Sequence, residues 1–293
     1  MKMHDGELDI DADLVRRLLA AQFPPLADLP VSAVRSTGTV NAIYRLGDQF
    51  CARLPRMQEW VQDLGKEWHW LPKLAPHLPL QVPEPVAKGH PENWYPFSWV
   101  IYRWIDGQPY SDELVDDERQ AARDLAQFVS ELRRIDPVAA PPGGRKPLRE
   151  LDAVTRAAIQ AARDVIDSDA ATAAWDRALQ APAWEGTPAW IHTDLLRPNL
   201  LVDGGRLGAV IDFGSAGVGD PAADVIAAWS VFSHAGRGTF RGTLDVDDGT
   251  WNRARGFALH QAAQIIPYYS ETNPGFVALA KRTVEEVLAD INA

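Results

Sequence analysis

The stretch NLLVDGGRLGAVIDFG, residues 199–214, leaves the chain little choice but a hairpin. Two aliphatic runs flank Asp203, Gly204 and Gly205, and short apolar runs on either side of a glycine-containing turn fold as paired strands. In an antiparallel pair the outer ends lie side by side. Asn199 opens the first run and Asp212 closes the second, so the spacing predicts an amide oxygen beside a carboxylate. Asp194 stands in the loop just before them. Oxygen ligands of this kind suit Mg²⁺, which takes one or two protein carboxylates and completes its shell with phosphate and water. Asp194 would face a reacting group, where it could position a hydroxyl or accept its proton.

The surroundings of this hairpin change character along the chain. DADLVRRLLAAQF has a helical period behind an Asp N-cap. VSAVR, AIYRL and FCARL then read as short strands, the last two joined at Gly47-Asp48. Residues 58–74 read as a helix disturbed or restarted at Pro72. FSWVIYRWI is a further strand, ending at DGQP. After Gly107 the pattern turns helical. It begins with SDELVDDERQAARDLAQFVSELRRI, followed by the loop PVAAPPGGRKPL and two helical stretches out to about Gln180. Beyond the hairpin, helices are expected from Pro221, Asp248 and Gly275. A sheet-rich lobe of residues 1–106 and a helix-rich lobe of residues 107–293 follow, and a cleft between two such lobes is a common ligand site.

Composition narrows the function. The 293 residues carry a formal net charge of -11, which argues against nucleic acid as a partner and suits a cationic ligand. A single cysteine, Cys51, permits no intrachain disulfide, and the seven histidines form no zinc spacing. The charged start lacks the apolar core of a signal peptide, and no apolar run approaches the ~20 residues of a bilayer span. A cytoplasmic protein without a membrane partner is expected.

The pattern H-x-D-x-x-x-x-N, from His192 to Asn199, followed by Asp212-Phe213-Gly214, is the protein-kinase arrangement. Its continuation Gly-Asp-Pro-Ala-x-Asp, from Gly219 to Asp224, resembles the aminoglycoside phosphotransferase family, the bacterial small-molecule branch of that fold. The resemblance covers most of the chain. It implies an α+β, two-lobed, protein-kinase-like fold with ATP or GTP as phosphate donor and Mg²⁺ as cofactor. Asp194 would be the catalytic aspartate, and Asn199 and Asp212 would hold metal. His192 would brace the loop. Asp220 would cap the following helix and steady the catalytic loop, and Asp220 and Asp224 would be mainly structural.

The N-terminal lobe departs from the kinase pattern. In place of G-x-G-x-x-G it offers STGTVN, with Ser36, Thr37, Gly38 and Asn41 as candidate phosphate contacts. Arg53 stands where the strand lysine is expected, and a guanidinium can bridge phosphate oxygens with its fork. Glu67 is its expected helix partner, with Glu59 as the fallback. Backbone groups of Arg103, Trp104 and Ile105 are expected to hold the purine. Thr193 replaces the family's commoner glycine, which bears on the loop's backbone conformation.

Only four residues, SAGV, separate Gly214 from Gly219, and no A-P-E follows, which is too short for a peptide platform. A small-molecule acceptor is therefore favoured over a protein, and an amine-bearing antibiotic over its alternatives: a hydroxylated metabolite, or nucleotide binding without catalysis. In this family the acceptor lies against the C-terminal helices. That region offers Trp229, Asp245, Asp247, Asp248, Trp251, Gln261, Tyr268, Tyr269 and Glu271. Carboxylates would attract protonated amines, and aromatic faces would add cation–π contacts. DVDDGTW does not match a calcium loop, and a helix N-cap at Asp247 or Asp248 accounts for it.

Overall fold

The Asp11 carboxylate accepts a hydrogen bond from the Leu14 N–H and so starts α1 (Ala12–Gln22). The apolar residues then recur three to four apart, and Val15, Leu18 and Leu19 are fully buried. This computed structural model describes residues 7–34 and 40–291. Behind α1 lie β1 (Val31–Ala33), β2 (Asn41–Leu46) and β3 (Phe50–Pro55), then α2 (Val61–Leu74), β4 (Pro85–Gly89) and β5 (Trp99–Arg103). The five strands form one antiparallel sheet in the order β1-β2-β3-β5-β4. Gly47 takes φ 57° in the β2–β3 turn, a left-handed conformation that glycine adopts without strain. Leu18 and Leu19 of α1 pack with Tyr44, Leu46, Leu54, Trp99 and Ile101 of the sheet. Pro72 does not restart α2. It stands in the last turn, and the Ala75 N–H still reaches the Leu71 carbonyl.

The second group of elements begins with β6 (Gln108–Pro109) and α3 (Glu118–Arg134). Next come α4 (Asp152–Ala161), α5 (Ser168–Leu179), β7 (Ala189–Ile191), β8 (Leu200–Asp203), β9 (Arg206–Val210) and β10 (Gly217–Gly219). The chain continues through α6 (Ala222–Val225), α7 (Ala227–Ser230), α8 (His234–Leu244), α9 (Asp248–Tyr268) and α10 (Pro274–Ile291). The predicted hairpin is β8–β9, with β6 added along its edge, and β7 pairs with β10. α3 starts later than its sequence pattern suggests, because Asp117 caps it through the Gln120 N–H. α9 packs against α4, α5, α6 and α10, and α8 packs on α3.

These elements make two compact units. The first runs through Pro76 and includes Gln81–Asp106 and Val210–Gly214; the second holds His77–Leu80, Gly107–Ala209 and the chain from Ser215 onward. The division is not a single cut at Asp106-Gly107. Residues 210–214 join the first unit, where the Val210 N–H donates to the Gln81 carbonyl and the Phe213 N–H to Glu67.

Candidate active site

In the first unit, Arg53 on β3 and Glu67 on α2 form a buried ion pair. Arg53 Nη1 donates to Glu67 Oε1 at 3.0 Å and Oε2 at 2.8 Å, and Nη2 donates to Asp212 Oδ1 at 3.1 Å. The helix partner of Arg53 is thus Glu67, and Glu59 stands in the short turn before α2. Glu67 also accepts from the Tyr102 hydroxyl and from the Phe213 N–H. One buried carboxylate therefore ties β3, β5 and the Asp212-Phe213 segment together. Burial alone would lower the Arg53 pKa, but Glu67 and Asp212 outweigh it and hold it well above its ordinary value. Burial, then the Glu67 charge, pushes the Tyr102 phenol up. Asp212 is held at φ 69°, a left-handed conformation that an aspartate adopts at some cost.

Ser36, Thr37 and Gly38 lie outside the described residues. Asn41 opens β2 and is buried, and its Oδ1 has no partner among the described residues. Arg103 and Trp104 do not offer free backbone donors to a purine. Their N–H groups go to the carbonyls of Glu84 and Gln49, and the Ile105 N–H is the one of the three left without a backbone partner among the described residues.

In the second unit, the β7–β10 pairing carries the chain into His192, which is fully buried. His192 Nδ1 accepts from the Asp194 N–H at 3.3 Å. Asp224, fully buried on α6, accepts from the N–H groups of His192 and Thr193. Asp224 is therefore the residue that steadies the loop. Asp220 has a different post: it accepts from the Ala222 N–H and forms a bidentate pair with Arg253. Burial raises the Asp224 pKa, and the His192 and Thr193 groups around it partly offset this.

Thr193 keeps a glycine-like backbone at φ 73°, an outlier for a β-branched residue. Conformations of this kind cost about 1–3 kcal/mol and persist where the surroundings over-determine them. Here Asp224 holds the Thr193 N–H, Arg145 donates to its carbonyl, and its hydroxyl bonds Ser215 Oγ at 2.7 Å. Asp194 itself is gripped by two amides. Asn199 Nδ2 donates to Asp194 Oδ2 at 2.7 Å and to its carbonyl at 2.9 Å, and Gln261 Nε2 donates to Asp194 Oδ1 at 2.5 Å. Arg145 Nη2 in turn donates to Gln261 Oε1 at 2.9 Å. Sequence reasoning gave Arg145 no role, since it lies in a stretch that reads only as loop.

Two units thus present an Arg–Glu pair beside the Asp-Phe-Gly segment and a His-x-Asp loop braced through Asn199, and the family model "Phosphotransferase enzyme family" matches residues 33–257. The chain belongs to the phosphotransferase enzyme family. Its sequence is 28% identical over 203 residues to uncharacterized protein YcbJ of Bacillus subtilis (strain 168), a match spanning 64% of each chain. It therefore spans just under two thirds of that relative's length. Among solved structures, the phosphotransferase fold seen here is similar to the GDP complex of aminoglycoside 2'-phosphotransferase-IIIa. That match has a TM-score of 0.75 and 19% identity, covering 96% of this chain and 100% of the other. It is also similar to macrolide 2'-phosphotransferase MphH from Brachybacterium faecium, with a TM-score of 0.60 and 19% identity over 94% and 97% of the two chains. At these identities the likeness concerns the fold. Among the described residues no helix is long and apolar enough to cross a membrane.

The acceptor residues expected for this phosphotransferase-family chain do not gather in one place. Trp229 is fully buried against Trp251, with ring centroids 4.5 Å apart, so it belongs to the core and offers no face to a ligand. Gln261 marks where α9 meets Asp194. A helix rises about 1.5 Å per residue, so Asp248 lies about 20 Å along α9 from that point and Tyr268 about 10 Å in the other direction. Asp248 pairs with Arg241. Asp245 ends α8 in a left-handed conformation and lines a separate polar cavity of about 350 Å³ with Arg133, Trp184 and Arg253. Asp248, and Asp245 just before α9, thus stand at the opposite end of that helix from Tyr268. Exposed Tyr268 and Glu271, with Tyr269 edge-on to Tyr268, are at the nearer end.

Proposed function

We propose that the protein transfers the γ-phosphoryl group of ATP or GTP to a hydroxyl of a small amine-bearing molecule, an antibiotic of the aminoglycoside or macrolide type. The observation that carries this reading is the setting of Asp194. An amide donor on each carboxylate oxygen fixes the plane of the group, as positioning an acceptor hydroxyl requires. The hydroxyl oxygen forms the new bond to phosphorus while the bond to the nucleotide's bridging oxygen breaks, and Asp194 takes the proton.

Asn199 and Asp212 would hold the magnesium. The Nδ2 of Asn199 is committed to Asp194, which leaves its Oδ1 for a cation, and Asp212 keeps Oδ2 beside the oxygen that Arg53 holds. Both are hard oxygen donors of the kind magnesium takes. When bound, the ion would offset charge developing on the phosphate oxygens. On the nucleotide side, the Arg53 guanidinium would reach a phosphate oxygen, with Asn41 close to the start of the same strand pair. The Ile105 N–H would meet an acceptor on the purine edge. Ser36, Thr37 and Gly38 would close over the phosphates.

For the acceptor, the reading narrows to Tyr268, Tyr269 and Glu271. Aminoglycosides and macrolides both carry protonatable amines, which one carboxylate and two aromatic rings could receive. The test is ADP or GDP release with ATP and GTP in turn, against kanamycin, gentamicin, streptomycin, a macrolide and small hydroxylated amines. Turnover of an antibiotic with micromolar KM supports the reading. Turnover confined to a metabolite would move the acceptor to the second class, and nucleotide binding without turnover of any acceptor would remove the enzyme.

A further inference from the structure

The amide of Gln261 can face Asp194 in two senses that differ by a half-turn, and they have opposite consequences. With nitrogen forward it donates to the carboxylate; with oxygen forward it sets one acceptor against another. A side-chain amide does not choose between these by shape, since its two ends are nearly equal in size. The choice here is made from behind. Arg145 is a pure donor, and it presents Nη2 to Gln261 Oε1 at 2.9 Å. Once the oxygen is claimed, the Nε2 group is the end left for Asp194 Oδ1, at 2.5 Å.

Arg145 is itself well fixed. The same Nη2 donates to the Thr193 carbonyl, the residue before Asp194, and the guanidinium carbon stands 5.9 Å from the centre of the Phe257 ring on α9. Phe257 and Gln261 are one helical turn apart, so Arg145 touches α9 and the His-x-Asp loop together. From these contacts we infer that Arg145 and Gln261 form a positioning relay for Asp194, in which Arg145 sets the sense of the Gln261 amide and Gln261 sets the plane of the carboxylate. The relay rests on the proposed role of Asp194 and adds two positioning residues to it. Burial lowers the Arg145 pKa, and Asp194 and Asp224 partly restore it.

The experiment is steady-state kinetics on wild type, Gln261→Met, Arg145→Met, Arg145→Lys, the Gln261→Met/Arg145→Met double variant and Asp194→Ala. Product is read as ADP or GDP release, with ATP and GTP each supplied alone and with kanamycin or a macrolide. Gln261→Met keeps the side chain's length and removes the donor, and Gln261 is only half-buried, so this variant should fold. The expected result is a fall in kcat of roughly 10- to 100-fold in either methionine variant, as for loss of a hydrogen bond to a charged group. Nucleotide and acceptor KM should stay within about twofold of wild type. The double variant should fall by less than the product of the singles, because both act through one carboxylate. Arg145→Lys, which retains a donor, should recover part of the loss. Wild-type kcat in Gln261→Met beside an inactive Asp194→Ala would overturn the relay and leave the proposed function standing. A loss seen in acceptor KM alone would also overturn it, since Gln261 would then be an acceptor contact. Full turnover in Asp194→Ala would overturn both.

Discussion

The two units hold their carboxylates by different means. In the N-terminal unit a guanidinium grips both Glu67 and Asp212, so charge meets charge. In the C-terminal unit amides grip Asp194, and the guanidinium of Arg145 stands one side chain further back. An ion pair of the first kind is strong when dry and is open to exchange when another ion arrives. A magnesium ion at Asp212, or a phosphate at Arg53, would compete for the bond the two now share. An amide grip of the second kind orients a carboxylate with dipoles, and a dipole does not neutralise the charge that a general base needs. On the proposed function, the first unit would rearrange around its ligand, and the second would hold its carboxylate in place.

The contrast is sharpest for Arg53→Ala. It strands Glu67, whose side chain is 0% exposed, as a buried unpaired charge. Breaking such a pair costs about 3–5 kcal/mol. Chemical denaturation should show that loss, together with weakened nucleotide binding, and Arg53→Lys should keep part of both. By comparison Gln261→Met should cost about 1 kcal/mol of stability. Equal destabilisation by the two would break the distinction.

Asp212→Asn comes next. The side chain keeps its size and loses its charge, so turnover should fall roughly 10²–10³-fold with the melting temperature little changed. Excess chelator should silence wild type. Turnover that survives chelation would take the metal out of the nucleotide side altogether.

A smaller effect concerns His260, beside Gln261 on α9. Burial, then the charge of Arg145, pushes its pKa down from the ordinary 6.5 to about 4, and Thr155 Oγ1 bonds its Nδ1 at 2.7 Å. The unfolded chain therefore binds the proton first. Stability should be full above pH 6.5 and decline as pH falls toward 4, by on the order of 3 kcal/mol. The check is the pH dependence of unfolding in wild type against His260→Gln, which should lack this part of the decline.

The smallest effect separates the two ends of α9. Glu271→Lys should raise the KM of an amine-bearing acceptor a few-fold at low salt, at roughly the scale of one exposed charge contact, while Asp248→Lys should leave it unchanged. A reversed order would return the acidic cluster at Asp245 and Asp248 to the acceptor.

What could be read from the sequence follows from how local each feature is. The β8–β9 hairpin and the β2–β3 hairpin announce themselves by short apolar runs and their turn residues. The spacing of His192, Asp194, Asn199 and Asp212 is written within about twenty residues. α8 is hard to read from sequence, because Gly236, Gly238 and Gly242 weaken a helical pattern. Gly236 is there because a Cβ would come within 2.8 Å of Glu118 Cδ, where α8 lies close on α3. β6, β7 and β10 are two or three residues long and exist only through distant partners. The sequence pattern points to Asp220 as the residue that steadies the loop, and only burial shows that Asp224 does so. Arg145 carries no signal of its own, and Gln261 reads only as a candidate acceptor contact, since their bonds to the loop span 48 and 67 residues.

Thr193 has a consequence for the order in which the molecule assembles. Its left-handed backbone is unfavourable in a free chain, and the groups that hold it come from Asp224, 31 residues on, and Arg145, 48 residues back. The local bonds from Asn199 and His192 to Asp194 do not hold the Thr193 backbone itself. The loop is therefore expected to close only once α6 and the Arg145 segment have docked, and to open early on warming. Because its shape is imposed from a distance, catalytic competence should disappear below the temperature at which the helices melt.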